Sequence, residues 1–365
     1  MQLTVLDEDF NTIQPISVFR TLIWKRRYTK LGAFELHVSP DLLPLLKQGE
    51  YLYRNDAEEL GVIKEVYYKQ SDTGSLEAYA KGNFAERLLE DRVIEKTTML
   101  NGKTEEVMRS LVDLYAINPE NSVRKIEHLR LGKENNLGTK INSQITGGSL
   151  SEELYSLGNA ENISHRVKYN YLTNDLEFEV WKGKDRRQSQ TENSWATFSD
   201  AYDNVRGVTY KMNSDSYKNI AYVAGEEKED GTRMIVEVDI RSSSEEKRRE
   251  LYVDARDLQS KGEDEVAMSE DEYKLALQQR GLEKLAEYKM VETAESDVDP
   301  SANLVYKKDF DLGDRCEYIN HRIGIAMDQI ITEIIETYEG GCAKIDITLG
   351  NEGASTIKQL IKREA

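Results

Sequence analysis

The chain has 365 residues, of which 39% are hydrophobic and 32% charged, and 49 Lys plus Arg against 67 Asp plus Glu leave a formal net charge of −18. That length exceeds one small core and fits two to four modules. The acidity disfavours nonspecific attraction to phosphate backbones and anionic membrane surfaces, and no window approaches the roughly 18–20 apolar residues of a membrane span.

From Met1 the chain enters strand-like alternation directly, without the basic and apolar regions of a signal peptide. Short apolar or alternating runs predict strands over 3–6, 17–27, 33–38, 51–53, 61–68 and 75–80, and a short helix over 84–89. Regular spacing with turn residues between them predicts a closed or nearly closed sheet, an N-terminal β-barrel module over residues 1–96. Residues 97–194 read as an α+β insert. Helices are expected over 104–115 and 149–158, the second with Ser149 and Glu152 at capping-box spacing and Gly158 placed to end it. A hairpin follows, 165–171 and 176–181 about Thr173-Asn174-Asp175.

Residues 195–298 return to strands (207–212, 220–223, 233–240), then pass an acidic stretch over 261–272 into a helix over 273–286. This region is expected partly to complete the first barrel and partly to form an outer domain. Residues 299–365 predict a second β-barrel module, with strands over 304–306, 315–319, 322–328, 329–338 and 343–350. The last alternates cleanly through Ala343, Ile345, Ile347 and Leu349, and a helix over 356–362 closes the chain. The fold class is therefore α+β and β-dominated, two small β-barrel modules bracketing α+β inserts. The 20 Tyr against 7 Phe and 3 Trp suit strands with one wet face and surfaces that meet partners.

Chemistry-bearing residues are sparse. Cys316 and His321 lie five residues apart with nothing to complete a nucleophilic site, and Cys316 and Cys342 read as two reduced thiols. Gly147-Gly148-Ser149 reads as a helix entry, because no Lys follows as in a phosphate loop. His37, His128, His165 and His321 have no metal-ligand spacing. Asp311 and Asp314 flank a glycine as a tight turn does, and in Gly183-Lys184-Asp185-Arg186-Arg187 the aspartate is expected to hold a bend while an arginine pairs with another domain or subunit. No catalytic, cofactor-binding or metal-ligating residue is assigned, and no cofactor is expected.

Four boxes occur in order: Phe178-Glu179-Val180-Trp181-Lys182-Gly183-Lys184-Asp185-Arg186-Arg187, Tyr217-Lys218-Asn219-Ile220-Ala221-Tyr222-Val223-Ala224-Gly225, Arg248-Arg249-Glu250-Leu251-Tyr252-Val253-Asp254-Ala255 and Phe310-Asp311-Leu312-Gly313-Asp314. With Trp24 and Gly32-Ala33-Phe34-Glu35-Leu36, this order resembles the ReqiPepy-type family of siphovirus tail proteins, similar in turn to the hubs of contractile baseplates and related injection machines. The resemblance implies a structural subunit and not an enzyme: a homotrimer whose six barrels ring a channel, joining a tail tube protein above to a central spike protein below, beside other baseplate proteins. Nucleic acid would meet it only in transit, and it would not insert in a membrane. It would be made in the host cytoplasm and carried in the tail of the particle. The alternatives are a carbohydrate- or receptor-binding tail protein and, further off, a glycan hydrolase using a carboxylate pair.

Overall fold

Strand alternation decides the first third of the chain. In the computed structural model, which describes residues 1–228, 230–260, 268–299 and 302–351, it forms β1 (Leu3–Leu6), β2 (Thr12–Ile16), β3 (Thr21–Arg27), β4 (Ala33–His37), β5 (Tyr51–Arg54), β6 (Leu60–Gln70) and β7 (Leu76–Phe84). Between β4 and β5 runs a short helix that alternation does not announce, α1 (Leu43–Gln48), with Pro44 in its first turn, where a proline costs no hydrogen bond. Many of the inward residues pack as a core that includes Leu3, Leu22, Trp24, Phe34, Leu52 and Phe84, while Leu6, Tyr51, Leu60 and Val62 join the core of the insert.

The insert contains β8 (Thr97–Lys103), α2 (Thr104–Val112), β9 (Leu129–Leu131), β10 (Lys140–Thr146), α3 (Leu150–Glu161), β11 (Ser164–Asn170) and β12 (Asp175–Trp181). The β11–β12 hairpin lies as expected. Helix α3 does not end at Gly158. That glycine sits inside the helix, where a Cβ would come within 2.7 Å of the Ile163 carbonyl, and left-handed Asn162 (φ 55°) terminates it.

Beyond the insert come β13 (Thr197–Ser199), β14 (Val205–Asn213), β15 (Ile220–Glu227), β16 (Arg233–Asp239), β17 (Glu250–Asp254), α4 (Glu270–Ala286), β18 (Val291–Val298), β19 (Arg315–Asn320), β20 (Ile325–Glu339) and β21 (Cys342–Asn351). Strands β15, β16 and β17 form a separate small sheet that packs its own core against α4. Residues 304–306 form no strand but lead into a turn over 307–309, with Tyr306 bridged to Phe310 and Asp309 N–H donating to the Val305 carbonyl at 2.8 Å. The two strands expected over 322–338 are one, β20, which changes partners midway. The expected acidic run over 261–265 and the helix over 356–362 lie outside the described residues.

A continuous thirteen-stranded sheet carries both β modules, in the order β14-β18-β21-β20-β3-β4-β7-β6-β5-β1-β2, with β19 on the first half of β20 and β13 beyond it. Strands β13, β14 and β18 thus complete the second module rather than the first, because β18 pairs with β21 and β13 with β19. Among the described residues no ladder closes either module on itself.

The two modules share one strand order. Matching β3, β4, β7, β6 and β5 with β14, β18, β21, β20 and β19 aligns them neighbour for neighbour; β2 then matches β13, with one extra strand of the first module, β1, standing between β5 and β2. β13 runs parallel to β19, and β2 and β5, each antiparallel to β1, are parallel to one another. The match extends to single residues. Trp24, Phe34, Gly82 and Ile63 form one row across the first module, and Tyr210, Ala294, Leu349 and Ile331 form its counterpart. Immediately after Ile63 and Ile331, both long hairpins carry a bulge.

Candidate functional site: the charged junction between the two modules

The modules meet where β20 pairs with β3, from Glu333 opposite Arg27 to Glu339 opposite Thr21. Alternation in β3 turns Leu22, Trp24 and Arg26 to the buried side, so a guanidinium enters the interior. An unpaired buried charge would cost several kcal/mol, of the order of 3–5. Arg26 is accordingly surrounded: Nε donates to Glu59 Oε1 at 2.6 Å, and Nη1 donates to Asp311 Oδ1 at 2.6 Å and to the Tyr306 hydroxyl at 2.9 Å. Burial pushes the Glu59 carboxyl up, but the Arg26 guanidinium more than offsets this and holds it down at about 2.

The network continues through Tyr306, whose hydroxyl donates to Glu336 Oε1 at 2.7 Å. Glu336 Oε2 accepts from Arg54 Nη2 and from the Tyr338 hydroxyl, each at 2.6 Å. Arg54 also lies over the Trp24 ring, 5.1 Å from its centroid. Burial, with the Glu336 charge beside it, pushes the Tyr306 hydroxyl well up, so it stays a donor. Segments from β3, β5, β20 and the loop over 306–311 are thereby tied at one point.

A second knot joins the insert to the C-terminal module through two of the sequence boxes. Gly183 lies so close to Gly313 that a Cβ on it would come within 2.0 Å of the Gly313 carbonyl carbon. Gly313 itself adopts φ 79° at the centre of the Asp311–Asp314 turn. Asp314 accepts from Lys184 N–H at 2.7 Å, Arg186 Nε at 2.9 Å and Asp311 N–H at 3.0 Å. Asp185 holds its bend by accepting from Arg187 N–H at 3.1 Å, while Arg187 reaches Asp328 at 2.7 Å. The other two boxes also meet, as the parallel pair β15–β17. Buried Asn219 anchors that pair, accepting from Arg249 N–H at 2.7 Å and donating to the Lys247 carbonyl at 3.0 Å.

The remaining candidates are not brought together. Cys316 is buried in the second module's core, and burial raises its thiol well above the ordinary range. His321 is exposed at the far end of β19, roughly 16 Å along the strand at about 3.3 Å per residue, and contacts Asp200 at 2.8 Å. Ser149 caps α3 by accepting from Glu152 N–H at 3.4 Å. His37 pairs with Glu35 at 2.6 Å, His128 edges onto Phe10, and His165 is buried between Tyr155 and Phe178. Asp311 and Asp314 spend their oxygens on the turn and its arginines. No helix among the described residues is long and apolar enough to cross a membrane.

The junction residues Arg26, Glu59, Arg54 and Glu336 were not singled out by motif. Strand parity carries the signal: Arg26 follows Leu22 and Trp24 at two-residue spacing, and Glu336 lies between Ile334 and Tyr338 in the same way.

In fold the chain is similar to three solved tail proteins. It matches the tail protein from Neisseria meningitidis MC58 at TM-score 0.54 and 14% identity, over 98% of this chain and 97% of that one. It matches the 43 kDa tail protein of prophage MuSo2 from Shewanella oneidensis at 0.55 and 13%, over 96% and 99%. The prophage tail protein gp18 from Listeria monocytogenes EGD-e matches at 0.50 and 13%, over 100% and 98%. No curated protein matches the chain. The family model described as Siphovirus ReqiPepy6 Gp37-like protein matches residues 2–351, the span that contains both modules, the charged junction and all four boxes. The chain belongs to this family of siphovirus tail proteins.

Proposed function

We propose that the chain is the hub subunit of a phage tail tip. Three copies close a ring whose six β modules surround the delivery channel, with the tail tube docked above and a central spike below. The observation that carries this reading is the shared strand order of the two modules, residue row for residue row, together with their fusion through the β20–β3 ladder. Two like modules fixed side by side in one chain allow three chains to offer six near-equivalent elements. A threefold spike and a sixfold tube can then both find matching contacts, and head-to-tail contacts close as a ring.

The charged junction supports the same reading, because a joint tied by buried pairs resists changes in the angle between modules. The work is mechanical and needs no catalytic group. An acidic chain would repel DNA in transit rather than bind it. The insert over 97–194 and the outer sheet of β15–β17 would face other baseplate proteins. Counting copies in purified tails by quantitative mass spectrometry tests this: three copies per tail support the ring, and any other number contradicts it.

A further inference from the structure

We infer that the outer edge of β6 over residues 64–70 pairs antiparallel with β14 of a second copy of this chain. This ladder would repeat between chains the one that β20 and β3 form within a chain. The inference deepens the ring reading and rests on it for the neighbour's identity.

The second half of β20 is flanked on both sides, by β21 and by β3. Its counterpart in the first module is the second half of β6, after the bulge that follows Ile63. That segment has β7 on one side and, among the described residues, no strand on the other. The counterpart of β3 is β14, which has β18 on one side and likewise no second neighbour. An operation that carries the second module onto the first carries the first onto the second module of the next chain. It therefore carries the β20–β3 contact onto β6 and the next chain's β14. Such edges otherwise invite uncontrolled pairing.

The register follows from the matched rows. Within the chain Ile334 faces Arg26 and Glu336 faces Trp24. The bulges equate Ile334 with Val66 and Glu336 with Tyr68, and the rows equate Trp24 with Tyr210 and Arg26 with Met212. Val66 then faces Met212, Tyr68 faces Tyr210, and Tyr67 between them faces Lys211. Each is a favourable cross-strand pair, apolar with apolar or aromatic with a cation, and no like charges oppose. Met212 and Tyr68 are now 61% and 49% exposed, which such a ladder would explain.

Disulfide trapping tests the register. Lys69 and Thr209 are exposed and would face one another across the new ladder, with Cβ atoms about 5 Å apart and within reach of a disulfide. The full chain carrying Lys69→Cys and Thr209→Cys, with exposed Cys342 changed to Ser, is oxidised at high concentration and run on a nonreducing gel. The control pairs Lys69→Cys with Met212→Cys, which is out of register. The ladder predicts intermolecular bands about tenfold above the control, because proximity makes the reaction effectively unimolecular; a mixture of the two single-cysteine chains should stop at a dimer. For a threefold ring the covalent series ends at three chains. A series running past three keeps the ladder and contradicts threefold closure. No excess over the control overturns the ladder, and a trimer by light scattering in that case leaves the ring reading standing.

Discussion

Arg54 Nη2 donates to Glu336 Oε2 at 2.6 Å with both side chains at 0% exposure, one from each β module. Two charges removed from water together are tolerable, whereas one left behind is not. Glu336→Leu should therefore cost about 3–5 kcal/mol, because it removes the acceptor of Arg54 Nη2 and of the Tyr306 and Tyr338 hydroxyls and leaves Arg54 only the half-exposed Asp56, at 2.9 Å from Nε. Replacing both Arg54 and Glu336 by Met should cost clearly less than Glu336→Leu alone. Urea unfolding of the two variants beside the unaltered chain checks the order.

The meeting of Gly183 with Gly313 gives a steric prediction. Gly183→Ala must separate the two loops by the width of a methyl group and should lose about 1–3 kcal/mol or more. Gly183 lies outside the left-handed region, whereas Gly74 has φ 82° and nothing within 4 Å of an added Cβ. Gly74→Ala should show only the backbone penalty, about 1 kcal/mol. Equal losses at the two positions would remove close approach as the reason for glycine at 183.

Buried titratable groups set opposing pH limbs. Burial, helped by the nearby Glu59 charge, raises the Glu86 carboxyl to about 7, and burial with the Glu153 charge raises Glu283 to about 8. Each keeps its proton in the folded state after the unfolded chain has released it near 4.5, so stability falls as pH rises from there towards 7 and 8. Burial alone lowers His165 to about 3. The unfolded chain takes up that proton near 6.5, so stability also falls as pH drops from 6.5 towards 3. Glu59, held at about 2, adds a loss as pH falls below its ordinary 4.5. Thermal denaturation should show Glu86→Gln stabilised at pH 8 and near neutral at pH 4, and His165→Phe gaining at pH 4 relative to pH 8.

Asn219 tests the outer sheet by itself. Its amide serves Glu246, the Lys247 carbonyl and the Arg249 N–H. Asn219→Ala takes this partner from the part-buried Lys247 carbonyl and Arg249 N–H, at up to about 1–3 kcal/mol each. Hydrogen exchange should show lost protection in β15–β17, with β3 and β20 unchanged.

Much of this fold was legible because alternation of side chains is a local property. The N-terminal strands, the β11–β12 hairpin and the last strand through Ile345, Ile347 and Leu349 follow from it. β20 was read as two strands because its burial pattern breaks near Asp328–Ile330, where the ladder to β19 ends and those to β21 and β3 begin. That break reflects partners distant in sequence. The return of β13, β14 and β18 to the C-terminal strands is illegible for the same reason, since the excursion over 214–290 separates them. The Asp311–Asp314 turn was readable from Gly313, but its contact with Gly183 exists only in the folded chain. Arg26 and Glu336 were within reach of strand parity, yet charged residues in a chain this acidic read first as solvated.

Cryo-electron microscopy of intact tail tips tests the central claim most directly. A pseudo-sixfold hub shows three chains in one ring, with both modules of each chain at the same radius, one sixth of a turn apart, and neighbouring chains joined through β6 and β14. A ring in which only one module of each chain lines the channel, or a chain count other than three, would contradict it.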